Sequence, residues 1–359
     1  MSGALLLEEL LRIAVERRAS DIHLKVPSRP ALRIAGRLER LDDQAPLKPV
    51  VVQDVLAVML ASLPHSSKQS EFERVGDVDF AYAHPGLGRF RVNAYRQRGS
   101  VSMVIRVVPF GVPTAAELGI PQAVQALAQE PDGLVLMTGA GGSGVTTTIA
   151  ALVDLLNTSV VRSILMFEDP IELLHSDRRC TVSQREIGLD TPTFADGLER
   201  ALRHDPDVVT IGALPDLATV QAAITIAQSG VLVLAAQRAV DAGAALMRMI
   251  NAYPDDQQRQ ARIDLAATLR AVVVHHLLRR ADGGRCLATE VLVATDAVRD
   301  AIVGGATGAE LAAHITADGN GGMISLNSSL ARLVEARALT RDAALAASRD
   351  PSTLVPLLR

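Results

Sequence analysis

Residues 133–157 read GLVLMTGAGGSGVTTTIAALVDLLN. Gly133 to Met137 form a short apolar run of the kind that makes a buried strand, Gly139 to Gly144 a glycine-rich loop, and the residues after it carry the apolar spacing of a helix. That order turns backbone N–H groups toward an anion at the positive end of the helix, as in a phosphate-binding P-loop. Gly139, Ala140, Gly141, Gly142, Ser143 and Gly144 supply the nest, Thr146 the hydroxyl that holds magnesium in such loops, and Thr147 a further donor. Where the pattern G-x-x-x-x-G-K-[ST] places a lysine on the phosphates, this chain has Val145. As a bare string the loop is also compatible with a glycine-rich turn that binds nothing; its seat between an apolar strand and a helix favours phosphate-site ancestry.

Working outward, GLVLMTG, SILMFED, DVVTIG and VLVLAAQ are short, apolar and β-branched, and they alternate with helical patterns. Such runs indicate a mostly parallel sheet covered on both faces, an α/β core spanning residues 118–295. Upstream, residues 1–107 read as helix, strand, strand, helix and then strands, with alternation in DVDFAYAH and RFRVNAYRQ and a PGLG turn between them, hence a small α/β domain. Residues 108–117, most of them in the proline- and glycine-rich PFGVPTAAELGIP, read as a linker. Residues 296–359 read as a helical tail domain with a flexible joint at DGNGG, 318–322. The stretch AVVVHHLLRR is expected to be helical, which would set His275 and His276 roughly 100° apart and keep them from sharing one metal ion.

Composition narrows the class. The chain has 359 residues, 48% of them apolar, enough for two or three domains. No uncharged apolar run approaches the roughly 18 to 20 residues that span a bilayer, so no transmembrane helix is expected. MSGALLLEELLRIAVERR carries Glu8, Glu9 and Glu16 among its leucines and reads as an amphipathic first helix, not a signal peptide. Cys180 and Cys286 lie far apart without metal or disulfide spacing, which suits a reducing cytoplasm. A net charge of -4 gives no global field for nucleic acid. Lysine occurs only at Lys25, Lys48 and Lys68.

Further chemistry is carried by FEDPIELLH, which puts Glu168, Asp169 and Glu172 at the end of an apolar strand, where carboxylates position water or magnesium beside a P-loop, or simply face solvent. In LRHDPDVVTIGALPD, Asp205 and Asp207 precede a strand and Ala213 follows it, where a hydrolytic enzyme of this type places a carboxylate. Arg89, Arg91 and Arg106 lie on strands of the first domain, where arginines are commonly solvated or paired.

Taken in order, ASDIHL, GRFRVNAYRQR, IRVVP, FEDPIELLH, EIGLDTPTFADGLERALRHDPDVVTIG, ATLRAVVVHHLL, DAVRDAI and GGMISLN resemble the type II/type IV secretion ATPase superfamily, most closely its PilT-like type IV pilus retraction motors. The likeness runs from about residue 4 to the last helix. It implies a PAS-like N-terminal domain, a RecA-like P-loop ATPase core and a C-terminal helical region. It also implies ATP with Mg2+ as cofactor, with Arg89, Arg91 and Arg106 as candidate phosphate sensors and Glu168 in the family's acidic box. The family forms hexameric rings, here homo-hexamers or hetero-hexamers with an intact PilT-like paralogue. Such rings work in the cytoplasm, peripheral to the inner membrane, on a platform protein of the pilus, without nucleic acid.

Three positions depart from the family's pattern together. Val145 stands for the Walker A lysine, Ala213 in GALPD for the Walker B glutamate, and Arg238 in AAQRA for the histidine of the His box. Losing one such transition-state stabiliser costs about 10² to 10³ in rate, and losing a positioned base about 10² to 10⁴. A phosphate facing valine would lose about 2 to 5 kcal/mol, or roughly 30-fold to several thousand-fold in affinity. The expectation is a catalytically degenerate pilus-motor subunit, with ATP binding weak or lost, that regulates or scaffolds an active ATPase. The alternatives are a working retraction ATPase with substituted groups and a nucleotide-independent scaffold.

Overall fold

The computed structural model describes residues 3–34, 36–63, 68–108, 111–315 and 321–358. Met1 and Ser2 of the first helical pattern, Pro109 and Phe110 of the linker, and Asp318 to Asn320 of the joint lie outside the described residues. The chain divides into two compact units, Met1–Gly111 with Glu172–Leu174, and Val112–Ile171 with His175–Arg359.

In the first unit α1 (Gly3–Glu16) is followed by β1 (Asp21–Lys25), β2 (Ala31–Ile34), β3 (Arg37–Arg40), α2 (Pro49–Ala61), α3 (Lys68–Val75), β4 (Asp77–His84), β5 (Gly88–Gln97) and β6 (Ser100–Val107). The leucine spacing of α1 buries Leu6, Leu7, Leu10 and Leu11 on one stripe. The strands form an antiparallel sheet in the order β3-β2-β1-β6-β5-β4. Alternation in β5 sends Phe90, Val92 and Ala94 into the core and leaves Arg91 exposed on the other face.

The second unit contains α4 (Gln122–Leu127), β7 (Gly133–Gly139), α5 (Val145–Ser159), β8 (Ser163–Glu168), β9 (Thr181–Glu186), α6 (Phe194–Glu199), β10 (Val208–Ile211), α7 (Leu217–Gln228), β11 (Leu232–Gln237), α8 (Ala242–Ile250), α9 (Gln258–Thr268), β12 (Leu269–Arg279) and β13 (Arg285–Val293), then α10 (Asp296–Val303), α11 (Gly308–Ala313), α12 (Leu326–Glu335), α13 (Arg341–Ala347) and α14 (Pro351–Leu354). Its sheet runs β13-β12-β7-β11-β10-β8-β9, parallel throughout except between β12 and β13. Alternate residues of β7 feed two cores: Leu134 and Leu136 join the side of α7 and α8, Val135 and Met137 the side of α5. Val298, Ile302 and Leu311 of the tail share the first of these cores, whereas Leu326, Leu330, Leu339 and Leu354 build a smaller cluster on Cys286 and Ala288.

Both edge strands of this sheet have outward amides engaged. On β13, Val291 exchanges backbone hydrogen bonds with Ile324, and the Thr289 amide donates to Ser329 Oγ at 3.0 Å. On β9, the amides of Val182 and Glu186 donate to Asp177 Oδ1 at 2.9 Å and Asp190 Oδ2 at 2.8 Å.

One sequence expectation is corrected. AVVVHHLLRR is not helical but lies in β12, which pairs with β7 on one side and β13 on the other. The helix ends upstream, at Thr268 in α9. A strand buried on both faces has no polar alternation, so its period cannot be told from that of a buried helix, and the β-branched Val272, Val273 and Val274 were the stronger signal. His275 and His276 therefore point to opposite faces of the sheet.

Candidate functional site

The loop of residues 140–144 joins β7 to α5. Gly142 and Gly144 have φ of +76° and +89°, a region side chains rarely enter, and Gly144 caps the helix without any side-chain acceptor. The first turn of α5 holds no acidic residue, and the leading amides of a helix have no intrahelical acceptor, which makes this helix start a receptor for an anion. Gly139 is required by a close approach: a Cβ there would stand 2.3 Å from Ser143 Oγ and 2.9 Å from the carbonyl of His275. Gly141 meets nothing within 4 Å and is exposed beside the exposed Ala140. Thr146 and Thr147 are half-buried in the first turn. Val145 packs against the apolar core on the α5 side.

Because β7, β11, β10 and β8 are adjacent and parallel, whatever follows their C-terminal ends lies along one edge of the sheet. Ligands of open α/β sheets bind outside that edge. The loop carrying Gly139 to Gly144 follows β7, Arg238 follows β11, Ala213 follows β10, and Glu168 closes β8, so the structure brings all of these predicted positions to the same edge. Glu168 is 7% exposed and accepts a 2.8 Å hydrogen bond from Gln184 Nε2. Asp169 and Glu172 are exposed. Asp207 is engaged structurally, accepting from the Ser163 amide at 2.7 Å. Ala213 packs on the core, and Arg238 is exposed with its carbonyl held by Arg248 Nη1 at 3.3 Å.

A cleft of about 760 Å³ opens on this edge between α7 and α8. Sequence reasoning missed two of its residues, Gln237 and Arg248. Gln237 ends the run VLVLAAQ and is 7% exposed, with Oε1 lacking a hydrogen-bond donor; an amide closing an otherwise apolar strand was the available signal.

In the first unit the three arginines share one face. Arg91 and Arg106 are directly paired across β5 and β6, and Arg89 lies two residues from Arg91. Arg106 Nε donates to Asp21 Oδ1 at 2.9 Å. Asp21 is held below its usual carboxylate range: burial opposes the shift, but hydrogen bonds from Ser20 and Arg106 outweigh it. Arg91 is exposed and Arg89 half-buried.

The remaining candidates have no assigned part in this chemistry, although the backbone of His275 in β12 lies beside Gly139. His275 is 2% exposed, and burial, then the adjacent His276, pushes its imidazole down to about 4; burial also lowers His276. Cys180 and Cys286 are free, buried thiols, and burial pushes Cys286 up. Among the described residues, no group of three or more His, Cys, Asp or Glu side chains is placed to hold a metal ion, and no helix is long and apolar enough to cross a membrane.

With this edge in view, a sequence profile of the type II/IV secretion system proteins matches residues 87–344. The chain belongs to that family. Its PilT-like character shows in the relatives. The type IV pilus retractation ATPase PilT of Pseudomonas aeruginosa is 34% identical over 343 residues, covering 96% of this chain and 98% of that protein. The type IV pilus ATPase PilU of the same organism is 37% identical over 297 residues, 82% of this chain and 76% of that one. A crystal structure of the pilus retraction motor PilT with bound ADP superposes with a TM-score of 0.85 at 35% identity, covering 97% and 98% of the two chains.

In this PilT-like chain the residues after β7 fit a phosphate through their backbone: two left-handed glycines, a capless helix N-terminus and the Thr146 hydroxyl are in place. The cation that would accompany them is missing from the loop, since the side chain that enters α5 is turned onto apolar packing at Val145.

Proposed function

We propose that this chain is a type IV pilus motor-family subunit that has kept a phosphate cradle and lost turnover, and that it regulates or scaffolds an active pilus ATPase. The observation that carries this is the intact edge itself. Sheet, glycines and helices stand as a nucleotide-binding edge requires, while Val145, Ala213 and Arg238 occupy the places of the lysine, the water-orienting carboxylate and the histidine on that one edge. Scattered decay would have damaged the strand ends and the loop glycines as well.

The residues divide by role. Backbone amides of residues 139–144 and the first turn of α5 hold phosphate oxygens, and Thr146 would hold magnesium, whose charge would offset that of the phosphates. Glu168 is the acidic-box carboxylate, and Arg89, Arg91 and Arg106 are phosphate sensors on the first unit. Nothing at Ala213 takes a proton from water, and no lysine follows Lys68. An arginine at position 238 presents a fork of donors and does not reproduce the neutral, proton-accepting face of a histidine. ATP binding is weak, and the subunit assembles into a hexameric ring, alone or with an intact paralogue, in the cytoplasm at an inner-membrane platform protein.

The test is steady-state ATP turnover of the purified protein beside the Val145→Lys, Ala213→Glu, Arg238→His triple variant. The expected result is turnover in the triple variant at least about 10²-fold above wild type, with ATP affinity raised roughly 30-fold or more by Val145→Lys alone. Magnesium-dependent turnover of the wild type at motor-like rates, abolished by Thr146→Ala, would overturn the proposal in favour of a working ATPase using Arg238.

A further inference from the structure

The loop after β11, residues 238–241, is held by side chains. All three carbonyls before Asp241 accept from one: Arg238 from Arg248 Nη1 at 3.3 Å, Ala239 from Thr138 Oγ1 at 3.3 Å, and Val240 from Arg349 Nη2. The first two bonds are long and weak by length; the first and third come from guanidinium groups and are charge-assisted, the third at close range. Arg349 stands 109 residues away in sequence, just after α13. Its other nitrogen, Nη1, meets Glu290 Oε2 at 3.0 Å, and the second oxygen of that carboxylate accepts from the Ala242 amide, at the start of α8, at 3.3 Å.

One guanidinium and one carboxylate thus tie together the C-terminal segment, strand β13 and the loop that carries Arg238. Glu290 is 5% exposed, so its charge is costly unless paired. Arg349 and the Ala242 amide are what pair it, with Asp241 and His276 the other titratable groups near the pair.

We infer that the C-terminal segment is a latch on loop 238–241, closed by Arg349 on Glu290 and Val240, so that the seating of the C-terminal helices sets the position of Arg238 at the candidate site. Arg349 and Glu290 are positioning residues. Any displacement of α13 and α14 that withdraws Arg349 removes the strongest anchor of the loop and leaves Glu290 with one amide donor. The regulatory meaning of this latch rests on the proposed reading of the Arg238 loop as part of the phosphate-handling edge; the mechanical coupling does not.

The experiment is hydrogen–deuterium exchange on the full chain, wild type against Arg349→Ala and Arg349→Lys, with the rate of tryptic cutting after the exposed Arg238 as a second readout. The expected result for Arg349→Ala is exchange at residues 238–244, and cutting after Arg238, faster by about tenfold to a hundredfold, the fold-change of one lost charge-assisted hydrogen bond. Arg349→Lys, which keeps the charge but not the two-pronged fork, restores part of the protection. Should Arg349→Ala not fold, Glu290→Gln serves, with the same residues losing protection to a smaller degree. Exchange that rises only beyond residue 341, or evenly over the whole second unit, overturns the latch. Nucleotide plays no part in this readout, so failure of the proposed function would leave its outcome unchanged.

Discussion

Val145 shows how one side chain changes what a loop does. A lysine at the first position of α5 would extend its ammonium toward the loop; the shorter, branched valine meets apolar atoms of the α5-side core and stops there. The position was legible in sequence because the glycines around it fix its place, but its packing was not, since nothing in the string says which way the first helical residue turns. His275 is the converse case, a residue whose chemistry follows from burial alone. Its imidazole ordinarily titrates near 6.5 and is held down to about 4 in the fold. The unfolded chain therefore takes up this proton as pH falls past 6.5 and the folded chain only near 4. Stability that is complete above pH 6.5 is lost as pH falls toward 4, by about 3 kcal/mol from this one group. Urea unfolding measured between pH 7 and pH 4 should show this slope, and His275→Gln should flatten it by that amount; identical pH profiles in the two proteins would place the loss on other groups.

Elements were read best where one face of them meets water. The alternation of β4 and β5 and the leucine stripe of α1 declare their type, because solvent imposes a polar period on the exposed face. β12 has no such face and reads ambiguously. Close crossings of elements are likewise silent in sequence, since a glycine that permits contact looks like a glycine that permits a turn. Gly243 in α8 is of the first kind: a Cβ there would stand 1.9 Å from the carbonyl oxygen of Gly308, where α11 begins. Gly308 is more forgiving, its own Cβ falling 3.3 Å from the Gly243 carbonyl carbon. Gly243→Ala should destabilise the protein by about 1 to 3 kcal/mol through forced separation of the two helices. Gly308→Ala should cost about 1 kcal/mol or less. Thermal unfolding checks the pair, and equal shifts for the two variants would contradict the packing assigned to this crossing.

The whole chain consists of two bodies with cores of their own, and the core of the first is drawn from Leu6 through Ile105. A body of about 110 residues with a six-stranded antiparallel sheet is of the size that folds alone. Residues 1–111 produced by themselves should therefore unfold cooperatively in urea, followed by far-UV circular dichroism; a broad, uncooperative transition would show that this core is incomplete. At this scale, the family and the site edge were legible because motif order survives substitution. The cleft between α7 and α8 and the anchor from Arg349 were not, because both join positions that only the fold brings together. The engaged flanks of the second sheet have a further consequence. The amides of Val291, Thr289, Val182 and Glu186 are already spent on Ile324, Ser329, Asp177 and Asp190. At those positions a neighbouring copy finds no main-chain donor to extend a ladder from, which blunts the route by which strands polymerise without regard to sequence. Contact between copies there draws more on side chains, whose affinity can be tuned one residue at a time.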